Sequence, residues 1–359
     1  MVPDVRRLRV ALLYAGSPES RRLTYQSGWP KHFLRHPRFD CVPVNVLSRF
    51  ARVPRRRIDA FVILHSVFSN GCYLTGRLFR RVATLPQPKA YFVGNEYKLM
   101  PEKIEFCERL GVSLVVSQLS SPDAHDLYRA RLGCRVAAIP SGGLDAEVFA
   151  PRTPSEQREV DLGYRAYDSP IYLGHRERRA LAEQVGESAR RRGLRVDVSL
   201  DGADRFDEPG WADFLDRCRA QLGSEAGADF FELTDETRNR VNAWVEEHPD
   251  ASDEEVLERF FRDRKGWVSG RALSGRVVEA AGTKTAQLLL EGEYGGWFRP
   301  DEHYVSLRKD FSNLDEAFDR LDDRAAVARM TEAAYEVALS ELTYERLIDR
   351  FHDALAPLV

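Results

Sequence analysis

Short apolar runs alternate with helix-length segments twice along this chain, and that alternation limits the folds open to it more than any other feature. In the first half the runs are RVALLYA (9–15), DAFVILH (59–65), KAYFVGN (89–95), VSLVVSQ (112–118) and RVAAIP (135–140). Brief, continuous apolar stretches of this kind suit parallel strands buried on both faces. Helical segments at 71–83, 101–110 and 123–132 fill the intervals, so the spacing predicts a doubly wound α/β domain over residues 1–150. The glycine- and proline-bearing segment GGLDAEVFAPRTPSE (142–156) reads as a linker.

The pattern then restarts. EVDLGYR (159–165), LRVDVSL (194–200), the end of RCRAQLGSEAG (217–227) and QLLL (287–290) are the expected strands, with a helix near 178–192. Together they predict a second domain over 151–330. The polar, acidic segment 234–261 predicts a helical insertion spanning about 231–267. The helical tail 322–358 is expected to return to the first domain, with 331–359 assigned to that return. A chain of 359 residues is long for one core and comfortable for two.

Composition excludes more than it assigns. Hydrophobic content of 43%, charged content of 30% and a net charge of −3 describe an ordinary globular chain and offer no basis for nucleic-acid binding. No signal-peptide pattern and no apolar run of membrane-spanning length occur. Five scattered cysteines without a CxxC pair point to free thiols in a reducing cytoplasm. Arginines cluster at Arg6, Arg7 and Arg9, and at Arg52 with Arg55, Arg56 and Arg57. Such a cluster is either a solvated basic face or a patch for weak peripheral contact with membrane headgroups or an anionic lipid-linked acceptor.

The stretch 268–313 carries the densest chemistry. Small residues, Ser269, Gly270, Ser274 and Gly275, let backbone approach a ligand. A helix beginning near Ser274 directs unpaired N–H groups and the positive end of its dipole outward, which suits a phosphate. Arg271 and Arg276 add charge-assisted donors. Glu279, one turn into the helix, can accept two sugar hydroxyls, and Thr283 and Lys284 follow it. These features together describe a nucleotide-diphosphate site.

The runs SGR, VEAAGTKT, LLLEGEY and HYVSLRKDFSN (from 269 to 313) resemble the donor half of GT-B glycosyltransferases, and most closely the bacterial spore-maturation-type, family 1/4-like proteins. The resemblance implies two Rossmann-like domains facing across a cleft, a nucleotide-sugar donor as substrate, no separate cofactor, and retention of anomeric configuration. It implies that Glu279 holds the ribose. It also implies an Arg and a Lys on the diphosphate: Arg165 matches the Arg, and Arg176 or Arg178 stands in for the Lys. Ser224 and Glu225 resemble the start of the family's Glu-Gly-x-Gly…Glu-Ala signature, in which the first Glu touches the transferred sugar. The separation here is 279 − 225 = 54 residues, so the insertion must loop out and return. If Arg271 instead occupies the standard position, the chain lacks that first Glu.

Ligands in open α/β sheets gather beyond the C-terminal strand ends. In the first domain these ends offer Gly16 and Ser17 on the acceptor side, and His65 and Glu96 as proton-transfer candidates. Each also has a plain reading, as an ordinary turn glycine or a hydrogen-bonded residue at a strand end. A true base at His65 or Glu96 would favour inversion. No GxGxxG and no Asp-x-Asp pair occurs, so neither a nicotinamide dinucleotide site nor a carboxylate pair for a catalytic metal is expected. The acceptor, a glycan, a lipid-linked sugar or a small molecule, is not specified. The alternatives to a transferase are a non-catalytic nucleotide- or glycan-binding protein of the same fold and a sugar-nucleotide epimerase.

Overall fold

The computed structural model describes residues 7–17, 24–54, 57–263 and 265–359; Arg6, Arg55 and Arg56 lie outside them. The first half contains β1 (Leu8–Tyr14), α1 (Thr24–Arg35), β2 (Phe39–Asn45), β3 (Ala60–Ile63), α2 (Gly76–Ala83), β4 (Lys89–Phe92), α3 (Met100–Leu110), β5 (Leu114–Ser117), α4 (Pro122–Leu132) and β6 (Arg135–Ala138). Its six strands form a parallel sheet in the order β2-β1-β3-β4-β5-β6. Alternate side chains face opposite layers. Val10, Leu12, Val62 and Phe92 meet Trp29 and Phe33 of α1. Leu13, Phe61, Ile63 and Tyr91 meet α2, α3 and α4.

The second half contains β7 (Val160–Arg165), α5 (Glu177–Ala180), α6 (Gly186–Arg191), β8 (Val196–Ser199), α7 (Glu208–Arg217), β9 (Cys218–Gly223), β10 (Ala226–Ala228), α8 (Glu236–Glu247), α9 (Asp253–Phe261), β11 (Gly270–Ala272), α10 (Gly275–Gly282), β12 (Ala286–Leu290), β13 (Val305–Leu307), α11 (Leu314–Asp322), α12 (Arg324–Glu341) and α13 (Tyr344–Leu355). A five-stranded parallel sheet runs β13-β12-β9-β7-β8. Two parallel sheets, each sandwiched by helices, give the two-domain Rossmann-like arrangement that the alternation predicts.

Several elements escape the sequence reading. β2 (FDCVPVN) places Pro43 opposite Leu12; a proline without an N–H is tolerated there because β2 is an edge strand. α1 holds Gly28 and Pro30, and Gly28 is required because a Cβ would lie 2.3 Å from the Tyr344 ring. α7 begins at a cap in which Asp207 accepts the Gly210 N–H at 3.0 Å.

The insertion leaves and returns through an antiparallel ribbon, with Ala226 opposite Ala272 and Ala228 opposite Gly270. Its helices enclose their own core of Val241, Val256, Phe261 and Phe230. It also grips the first domain: Asp235 caps α3 by accepting Leu99 N–H at 2.5 Å and Met100 N–H at 3.1 Å. α12 is continuous through 331, and the tail crosses at Leu342, whose carbonyl accepts Leu144 N–H at 2.7 Å. α13 then lays Phe351 5.5 Å from Phe33 and 5.0 Å from Phe92 on the first domain. Among the described residues no helix is long and apolar enough to cross a membrane.

Candidate functional site

α10 forms because Val277, Val278, Ala280 and Ala281 are all buried against the second domain's core. Its start is left open. Ser274 holds the extended N-cap conformation with no side-chain cap, and nothing lies within 4 Å of where a Cβ on Gly275 would sit. Within the first turn Val277 N–H donates to the Ser274 carbonyl at 3.0 Å, and the space beside Gly275 leaves room for an anion at the helix start, where the dipole is positive.

Arg276 rises from this open turn with its guanidinium 4.9 Å from the Trp211 ring centroid. Burial and repulsion from Arg178 and Arg205 lower its pKa to about 10, against the pull of Glu279. Arg178, at the beginning of α5, sits 4.3 Å from the Tyr167 ring centroid. Burial disfavours its charge, but Tyr167 and Tyr164 more than compensate and raise its pKa. Neither arginine forms an ion pair with a described carboxylate. Glu279 offsets part of the repulsion between the two cations, and the space at the helix start can take a further anion.

Glu279 is buried, and its Oε2 accepts the indole N–H of Trp211 at 2.7 Å. Glu225 is buried where the ribbon leaves β9. Its Oε1 accepts Tyr294 N–H at 2.8 Å, and burial raises its pKa. Gly292 lies against the same carboxylate, since a Cβ there would come within 2.7 Å of Oε2. Ser224 donates to the carbonyl of Glu225 at 3.3 Å. The β10–β11 pairing thus returns the chain beside the strand end that Glu225 occupies.

Other expected donors are occupied elsewhere. Arg165 lies along the sheet, bonded to Asp197 at 2.6 Å and stacked on Phe214 at 4.7 Å. Arg176 joins Asp253 of the insertion at 2.8 Å and Asp168 at 3.3 Å. Arg271 is held between Glu177, at 2.7 and 2.8 Å, and Asp229, whose carboxylates offset its charge. Thr283 and Lys284 are at the wrong end of α10, roughly 12 Å from its start by helical rise. Thr283 bonds Ala280 O at 3.1 Å. Lys284 pairs with Glu332 at 2.6 Å and lines a cavity of about 760 Å³ on the N-terminal edge of the second sheet.

On the first domain, Gly16 and Ser17 follow β1. Gly16 N–H donates to Asn45 at 3.1 Å, and Ala15 N–H to Ser66 at 3.1 Å, tying together the loops after β1, β2 and β3. His65 is buried, and desolvation lowers its pKa to about 4, so the imidazole is neutral at neutral pH. Glu96 accepts from Ser117 (2.8 Å), Tyr128 (2.8 Å) and Gln118 N–H (2.9 Å). Burial raises its pKa to about 6 despite these donors. Through these three donors the carboxylate joins β4, β5 and α4.

Trp211, Arg205 and Tyr167 were not foreseen. Tyr167 follows β7 and bonds Tyr97 of the first domain; burial raises its phenol pKa, but Arg178, Tyr97 and Lys98 outweigh that and lower it. Extending the strand-end rule to the residues after β7 and β8 would have flagged Tyr167 and Arg205. Nothing local marks Trp211, which reaches Glu279 from another helix.

No family model matches the chain, and no curated protein does. Solved structures share its fold across nearly the whole length. Sucrose-phosphate synthase from Thermosynechococcus elongatus is 9% identical with a TM-score of 0.52, over 98% of this chain and 99% of that one. Anabaena Alr3699/HepE in complex with UDP is 11% identical with a TM-score of 0.52, over 98% and 100%. The N-terminal domain of Candida albicans trehalose-6-phosphate phosphatase is 10% identical with a TM-score of 0.51, over 97% and 96%. At these identities the likeness establishes the fold. The chain has the GT-B architecture, with α10 and the recess of Arg178 and Arg276 at the C-terminal edge of the second sheet.

Proposed function

We propose that the chain is a glycosyltransferase that moves a sugar from a nucleotide-diphosphate donor to an acceptor in the interdomain cleft, with retention and without a catalytic metal. The observation that carries this is the pair Arg178 and Arg276 beside the open start of α10, with Glu279 one turn behind. The cations and helix N–H groups suit a diphosphate whose charge grows as the sugar departs, a form of electrostatic catalysis. Glu279 suits the ribose, and Glu225 the transferred sugar. Alr3699/HepE, which shares the fold, was solved with UDP and with UDP-glucose.

The occupied Glu96 and the deeply buried His65 favour retention, with the acceptor proton passing to the departing phosphate oxygen. Two guanidinium groups near the diphosphate favour charge neutralisation by the protein itself. Calorimetry with UDP, GDP, ADP, dTDP and CDP tests the reading, and one of them should bind. Nucleotide sugars of that base should then release the diphosphate in the presence of an acceptor and excess EDTA, with the anomer identified by NMR. Binding with no release would leave a binding protein; release to water with an inverted ring carbon in the freed sugar would indicate the epimerase. Failure of all five nucleotides to bind would sink the proposal.

A further inference from the structure

Residues 41–95 contain nine lysines and arginines and one acid, Asp59, within a chain of net charge −3. Asp59 is already engaged, accepting Arg9 N–H at 2.8 Å. Two segments of this stretch lie on the same side of the first sheet. Val46 and Val53, from the crossover between β2 and β3, and Leu78 and Val82, from α2, all pack on the layer formed by Leu13 and Phe61. Their outer surfaces therefore make one face of the first domain.

That face carries six exposed, described arginines: Arg49, Arg52, Arg57, Arg77, Arg80 and Arg81. None pairs with a described carboxylate. Elsewhere exposed arginines commonly do, as in Arg129 with Asp126, Arg191 with Glu187 and Arg262 with Glu258. The crossover also exposes Phe50 at 65% and Leu47 at 44%, and the loop leading into α2 exposes Tyr73 at 50%. Arg49 lies over the Phe50 ring at 4.6 Å. A scattered apolar residue on a surface needs no explanation. Here three large ones accompany a field of unpaired guanidinium groups, the composition that binds headgroup phosphates while seating apolar side chains at the acyl boundary.

We propose that this face docks the protein on an anionic phospholipid bilayer, with the arginines on headgroup phosphates and Leu47, Phe50 and Tyr73 inserted beside them. The aliphatic Leu47 favours a bilayer over a nucleic acid, which would reward stacking aromatics. The docking face adjoins the acceptor rim, because Leu47 N–H donates to Asn45 at 3.2 Å and Asn45 brackets Gly16 at 3.1 and 2.9 Å. The inference stands whether or not the cleft transfers sugar.

The test is co-sedimentation of the full chain with vesicles of phosphatidylcholine alone or mixed with phosphatidylglycerol. Capture is expected only on the anionic vesicles, and it should weaken as salt shortens the screening length. The triple variant Arg49→Glu/Arg80→Glu/Arg81→Glu should lose roughly fivefold in partitioning for each charge removed. Phe50→Ser should weaken capture with the charge unchanged. All four side chains are exposed, so melting temperature and nucleotide binding should hold in each variant and exclude misfolding. Absence of capture on both vesicles, capture untouched by these substitutions, or tighter binding to duplex DNA than to the anionic vesicles at equal salt would each overturn the proposal.

Discussion

The indole N–H of Trp211 donates to Glu279 at 2.7 Å while the same ring lies 4.9 Å from the guanidinium of Arg276. One side chain of α7 thus orients the carboxylate proposed for the ribose and supports a cation proposed for the diphosphate. Both functions depend on α7 packing against α10.

Glu279→Ala should weaken nucleotide binding and also lower stability. The carboxylate is buried, so its removal leaves the indole N–H without that acceptor, a loss of about 1–3 kcal/mol. Trp211→Phe keeps the ring and deletes the donor, and it should cause a smaller affinity loss. Calorimetry beside urea unfolding separates the two effects; unchanged affinity in Glu279→Ala would remove the ribose assignment.

Arg276→Met should uncouple binding from stability. It relieves repulsion from Arg178 in the recess, so the melting temperature should stay level or rise. A charge-assisted hydrogen bond contributes about 1.5–3 kcal/mol, so nucleotide-diphosphate affinity should fall roughly tenfold to a hundredfold. Affinity equal to that of the parent protein would place the phosphates elsewhere.

Glu225→Gln retains an oxygen for the 2.8 Å bond from Tyr294 N–H and so should fold normally. If the carboxylate touches the transferred sugar, kcat should drop far more than nucleotide affinity, the pattern of an interaction made mainly in the transition state. A parallel loss of both quantities would count against that role.

Stability should decline on the alkaline side. Burial disfavours protonated His32, but Asp145 at 3.2 Å and Glu345 at 2.7 Å reverse this and raise its pKa from 6.5 to about 9. A raised pKa stabilises fully below the unfolded value, so the contribution is complete below pH 6.5 and lost as pH climbs to about 9. Urea unfolding across that window should show the decline in the parent protein and a flatter profile in His32→Gln. Identical slopes would refute it.

Much of the fold was legible because strand periodicity is local. KAYF and AQLLL are buried along their whole length in parallel sheets, and their mostly apolar character, broken only by Lys89 and Gln287, says so without knowledge of neighbours. β2 was hidden because Pro43 argues against a strand, and only its place at the sheet edge makes it acceptable. α1 was hidden because Gly28 and Pro30 read as a loop until Tyr344, from the far end of the chain, occupies the space a side chain would need.

The candidate site divides along the same line. The motif SGRVVEAAG by itself determined a helix with an open, small-residue start, an arginine on its first turn and a carboxylate one turn on, because all three follow from helical geometry over a few residues. Which arginines remain available was decided by tertiary structure alone. Arg165, Arg176 and Arg271 have the same chemistry as Arg178 and Arg276, but Asp197, Asp253, Glu177 and Asp229 neutralise the first three. Those carboxylates lie 32 to 94 residues away. Charge pairing depends on distance in space, and no local pattern records it.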